Sequence, residues 1–253
     1  MKQLKLIFAM FLLFAAACSK DSTSLEATGK SGSITRFAVH NGFMYALNPN
    51  EVLTYSLQDA DQPVLVSRIT TDYGLETIII YDNTIYLGSS SALYILDITN
   101  PATPVILSKT NREALFIGGC DPVVVKGNYA YSTIKIIENI CGNVSSQSAL
   151  LVYDVSNKTA PVGKGTYTLG IPNGLGYQGN YLFVCDEGTD RLEVFDISNP
   201  LSLQQLTDNA LDITDPYDLI VDGQKMIVST KTDFQIYDLS SLPTITKIGF
   251  IAK

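Results

Sequence analysis

The chain of 253 residues contains no tryptophan, one histidine (His40), four cysteines, and 17 Lys and Arg against 25 Asp and Glu. Each shortage narrows the function. With a single histidine, Ser-His-Asp or Cys-His catalysis would have to run through His40, which abuts a turn and has no Ser or Cys beside it. A zinc cluster lacks ligands, and neither a metal nor another cofactor is expected. The formal charge of -8 becomes -10 once Lys2 and Lys5 are lost with the first 17 residues. An acidic body without a basic stripe cannot neutralise phosphates, so nucleic acid is not an expected partner. No glycine loop of the phosphate-cradling kind precedes a helix. Beyond the N-terminus no apolar run reaches membrane-spanning length, and no helical period is sustained after residue 32.

What is present is a repeat. Five times a Gly- or Asn-centred turn runs into a short strand: NGFMY (41–45), DNTIY (82–86), GNYAY (127–131), GNYLF (179–183) and GQKMI (223–227). Each unit ends alike, in YSLQDADQP (55–63), LDITNPATP (96–104), YDVSNKTAP (153–161), FDISNPLSL (195–203) and YDLSSLPTI (237–245). Units of about 41–57 residues with one internal order mark a radial or stacked repeat. The fourth unit divides into strands at roughly 174–178, 181–186, 191–197 and 203–207, the first pair joined by a two-residue Gly-Asn turn. Four short antiparallel strands, five times over, predict an all-β fold: a β-propeller of five four-stranded blades over residues 32–253. Blades hide their flat faces against neighbours, so the pattern predicts a closed ring.

The phrases LEVFDISNP, ALYILDITNP and ALLVYDVSN resemble the LVIVD-repeat family, found in bacterial lipoproteins and predicted to form propellers. The resemblance covers residues 32–253. Blades one and five depart from it, with Ser56 in place of Asp and Ser241-Leu242 in place of Asn-Pro. Residues 1–17 read as a signal peptide: Lys2 and Lys5, an apolar run from Leu6 to Phe14, then Ala15, Ala16 and Ala17. Cys18 after three alanines resembles the lipobox of bacterial lipoproteins, which implies lipidation of Cys18. Ser19 stands where that family places its inner-membrane retention Asp, which implies outer-membrane sorting. An ordinary secretory signal with an incidental cysteine is the alternative. Residues 18–31 read as a flexible tether.

Blade three is lengthened twice. From the second-strand aromatic to the third-strand Asp the spacing is 11–13 in the other blades and 23 from Tyr131 to Asp154. The excess, about Lys135 to Ser148, contains Cys141, and the longer lead-in to the same blade contains Cys120. Both loops should emerge on one face, in a disulfide-permissive compartment. A Cys120–Cys141 bridge is expected, closing about 20 residues for roughly 3 kcal/mol. Cys185 reads as a small buried hydrophobe, with its pairing to Cys120 or Cys141 left open.

First strands should line the axis. The position six residues before each turn is Thr35, Glu76, Asp121, Asn173 and Tyr217, with Asp215 and Asp218 flanking the last and Asp186, Glu187 and Asp190 on the same face of blade four. Glu76, Asp121, Asn173, Asp186, Glu187, Tyr217 and Asp218 therefore form the candidate ligand-binding face. Asp97, Asp154, Asp196 and Asp238 recur once per blade and read as turn-shaping residues. Three readings follow, the last a passive assembly component with no ligand of its own. The first is a lipid-anchored, non-enzymatic module of the bacterial cell envelope that binds a protein or glycan. The second is a carbohydrate-active hydrolase using axial carboxylates.

Overall fold

The computed structural model describes residues 29–32, 35–111, 122–136 and 148–253. Cys18, Cys120, Cys141 and Asp121 lie outside them, and so do the lipidation, the bridge and one axial position. The described residues form 22 strands and a single short 3-10 turn, with no α-helix among them.

After β1 (Gly29–Gly32), five four-stranded antiparallel sheets follow in chain order. Blade 1 holds β2 (Phe37–His40), β3 (Phe43–Asn48), β4 (Glu51–Ser56) and β5 (Val64–Thr70). Blade 2 holds β6 (Leu75–Tyr81), β7 (Thr84–Ser89), β8 (Ala92–Asp97) and β9 (Val105–Asn111). Blade 3 holds β10 (Val123–Lys126), β11 (Tyr129–Ile134), β12 (Ala149–Asp154) and β13 (Val162–Thr168). Blade 4 holds β14 (Pro172–Gln178), β15 (Tyr181–Asp186), β16 (Arg191–Asp196) and β17 (Gln204–Gln205). Its outer strand breaks at a 3-10 turn (Thr207–Asn209) and resumes as β18 (Leu211–Asp212), which pairs with β16. Blade 5 holds β19 (Pro216–Asp222), β20 (Lys225–Thr230), β21 (Asp233–Asp238) and β22 (Thr246–Ala252).

The repeated turns build this as the sequence predicts. Asn41, Asp82, Gly127, Gly179 and Gly223 all take positive φ at the first hairpin, where Gly, Asn and Asp meet the least resistance. At the third-strand ends, Asp97, Asp154, Asp196 and Asp238 each accept the backbone N–H two residues on, at 2.7–3.0 Å. Ser56 does the same at 3.4 Å in blade 1. These aspartates shape turns.

Four apolar clusters lie between successive blades, from blades 1 and 2 to blades 4 and 5. The second-strand aromatics Tyr45, Tyr86, Tyr131 and Phe183 are fully buried, each against the next blade. Tyr45 also donates to the Pro101 carbonyl of blade 2 at 2.9 Å. Ile227 holds that position in blade 5 and is 39% exposed, with Ile220, Phe234 and Ile251 also open to solvent. On blade 1, Phe37 and Val39 are each 59% exposed, although their counterparts in blade 2, Ile78 and Ile80, pack against blade 1. Among the described residues no apolar cluster joins blade 5 to blade 1. Among the described residues, then, the apolar faces of blades 1 and 5 are uncovered, where a closed ring was expected.

A second departure concerns the tether. Its last residues, 29–31, are not a free coil: β1 pairs antiparallel with β14, from Gly29 opposite Gln178 to Gly32 opposite Leu175. β1 also lies beside β19 and reaches β6 and β10, so it occupies the axis.

Candidate interaction face

Each blade has two ends. At one, the first-to-second hairpins and the Asp turns gather, forming the turn face. At the other, the lead-in to each blade meets a second-to-third hairpin, forming the loop face. Backbone bonds knit the loop face together: Thr71 N–H to Asn50, Gly74 N–H to Pro49, Ser90 N–H to Gly74, Leu169 N–H to Ser148 and Glu187 N–H to Ile171. The lengthened stretches of blade three themselves lie outside the described residues; at the edges of the second, Ile136 N–H bonds Ser148 Oγ at 3.0 Å.

The structure brings Asn173 and Glu187 together and adds a residue that composition and counting missed. Lys135 places its Nζ 3.1 Å from Asn173 Oδ1 and 3.0 Å from Glu187 Oε2. Asn173 Nδ2 donates to Glu187 Oε2 at 3.1 Å and to the Pro216 carbonyl at 3.4 Å, while its own backbone carbonyl accepts Thr133 Oγ1 at 2.8 Å. One buried residue thus ties blades 3, 4 and 5. The bonds from Asn173 and Lys135 hold the Glu187 carboxyl below its ordinary range, with Lys135 and Lys231 adding positive charge. Glu187 Oε2 accepts from both Lys135 Nζ and Asn173 Nδ2.

Asp186 is turned inward. Buried at the end of β15, its carboxylate accepts the N–H groups of Gly170, Ile171 and Gly188 at 2.7–3.0 Å. Gly170 and Gly188 are needed there, because a Cβ on Gly188 would sit 2.6 Å from the Ile171 nitrogen. The acid predicted to face a ligand instead staples lead-in loop to hairpin. Asp218 packs against Gly174, whose added Cβ would meet its Oδ1 at 2.1 Å. Tyr217 is half exposed on β19. Glu76 is the second residue of β6 on blade 2, and its buried Oε2 has no partner among the described residues. His40 is remote from all of these, on the turn face beside Asn41 and Asn83. Among the described residues no three His, Cys, Asp or Glu side chains gather as a metal set. Among the described residues Cys185 is free and buried, with its thiol pushed up by burial, and the partners left open for it, Cys120 and Cys141, lie outside those residues.

The central blades also match a described family. The LVIVD repeat model matches residues 76–111, 117–134, 144–169 and 174–206. The chain carries LVIVD repeats. The matches fall on blades 2, 3 and 4, and the two in blade 3 leave out residues 135–143, most of its inserted loop. Blades 1 and 5, which depart from the motif, are also the blades with uncovered faces. No curated protein matches the chain in sequence.

Several solved structures share the fold. A functionally unknown protein from Desulfotomaculum acetoxidans superposes with a TM-score of 0.69 at 11% identity, over 87% of this chain and 70% of its own. A putative 6-phosphogluconolactonase from Bacteroides uniformis gives 0.58 at 13% identity, over 84% and 69%. The periplasmic gluconolactonase of Pseudomonas aeruginosa gives 0.57 at 13% identity, over 74% and 59%. At these identities the likeness is one of fold.

Proposed function

We propose that this LVIVD propeller is a non-enzymatic interaction module of the bacterial cell envelope, moored in the outer membrane by lipid on Cys18. It contacts a protein or glycan partner through the loop face at blades 3 and 4. The observation that carries this reading is the state of the carboxylates at the mouth. Asp186 is consumed by three backbone N–H groups, and Glu187 is paired with Lys135 and Asn173. Glycoside hydrolysis needs one carboxylic acid that donates a proton and a second carboxylate acting across the bond. This pair is arranged to position loops, and binding function concentrates on loops that a rigid scaffold holds.

The hydrolytic alternative draws on the lactonase names of two structures of the same fold. One experiment separates the two readings. The purified domain is tested on a glycan array, in pull-downs from envelope extract, and against a panel of sugar lactones and glycosides. Recovery of a specific partner that is lost when residues 137–147 are shortened supports the module. Turnover that is abolished by Glu187→Gln would replace it with the enzyme.

A further inference from the structure

The strand on the axis has a direction, and that direction fixes which face the molecule presents. Gly29 lies opposite Gln178, next to the Gly179-Asn180 hairpin of the turn face, and Gly32 lies opposite Leu175, toward the loop face. The chain therefore enters the axis from the turn face, climbs beside β14, and reaches blade 1 at the loop face, where the Thr35 carbonyl accepts Ile78 N–H. Gly29, where the described strand begins, therefore stands at the turn face.

We infer that the anchored propeller stands with its turn face toward the bilayer and its loop face, with the Lys135–Asn173–Glu187 network, toward the aqueous side. This rests on the lipid-anchor reading of Cys18. The reach of the tether decides it. Eleven residue steps separate Cys18 from Gly29, which span at most about 36–40 Å when fully extended. To bring the loop face to the membrane, that segment would first have to run outward past four strand spacings. It would then have to climb the height of a seven-residue strand, a path of about 42 Å even without room for side chains. Returning between blades 5 and 1 would lay unpaired backbone N–H and C=O groups against their apolar faces, which is costly. Downward exit needs none of this.

The consequence is a restriction on partners. A molecule that uses the loop face is soluble, or stands clear of the bilayer by about the height of a blade, roughly 23 Å for a seven-residue strand. A lipid headgroup or a protein embedded flush with the same leaflet does not meet that face.

The absence of tryptophan makes the test clean. Ala60 lies in the exposed turn-face connection of blade 1, and Asn50 in its exposed loop-face hairpin. Ala60→Trp and Asn50→Trp each provide a single donor in the full acylated chain, reconstituted on vesicles that carry dansyl-labelled headgroups. Energy transfer should be several-fold more efficient from position 60 than from position 50. Equal transfer, or the reverse order, with acylation intact would overturn the orientation alone. Acylation and vesicle flotation are measured in parallel by mass and sedimentation, and their absence would sink the anchor and the orientation with it.

Discussion

Gly174→Ala tests how blades are held around the axis. Gly174 lies on β14, the inner strand of blade 4, against β19 of blade 5. A methyl group there would stand 2.1 Å from Asp218 Oδ1, 2.8 Å from its Cα and 3.0 Å from its Cγ. The carboxylate can swing aside, at the expense of its 2.9 Å bond from Leu219 N–H. The backbone of Asp218 cannot move unless β19 moves, and β19 carries the fifth blade. Overpacking of this kind costs about 1–3 kcal/mol. In a domain of this size each kcal/mol lowers the melting temperature by about 2–4 °C, so a fall of about 2–12 °C is expected by differential scanning calorimetry. Gly163→Ala serves as the control, because nothing lies within 4 Å of its added Cβ, and its effect should stay within about 0.5 kcal/mol. Adding Asp218→Ala to Gly174→Ala should recover only part of the loss, since the methyl group still presses on the backbone of residue 218. An unchanged melting temperature for Gly174→Ala would refute the close approach of the two inner strands.

Three further outcomes follow from the same geometry. The lowered Glu187 carboxyl stabilises the fold above its ordinary value of 4.5 and loses that contribution as pH falls through the lowered folded value. Melting temperature should therefore drop more steeply on the acid side in the parent than in Glu187→Gln, and parallel curves would contradict the pairing. Unfolding without reductant should expose one reactive thiol, Cys185, if Cys120 and Cys141 are bridged and Cys18 is acylated; three thiols by Ellman titration would refute the bridge. Ile227→Lys, at a side chain already open to water, should change stability by about 0.5 kcal/mol or less. Phe183→Lys, at the same place in blade 4 but buried against blade 5, should cost more than about 3 kcal/mol, because an unpaired charge enters the core. Equal costs in chemical denaturation would mean that blade 5 is covered after all.

The blades were legible because turn chemistry is local. A residue tolerant of positive φ before each second strand, and an Asp or Ser accepting the N–H two residues on, leave a mark every time they occur. Closure was not legible, because Ile227 and Phe37 are as apolar uncovered as their counterparts are when buried. The axial strand was hidden for a different reason. The segment 29–32, GKSG, has no strand propensity of its own, and it becomes a strand only because β14 offers it an inner edge. At the mouth, counting back from the turns found Asn173 and the carboxylates. It could not see that Asp186 turns inward to three N–H groups, or that Lys135 arrives from 52 residues away in sequence to meet Glu187. Loop length pointed to the right neighbourhood, since Lys135 begins the inserted loop of blade 3.

Photocrosslinking in the envelope, from each face of the full-length chain in turn, asks the molecule directly which side it uses. A photoreactive phenylalanine analogue is placed at Lys231 on the loop face, within the field of Glu187, and separately at Ser202 on the turn face. A loop-face interaction module gives a discrete crosslinked partner from position 231 and none from position 202. A partner captured from position 202 alone would contradict it.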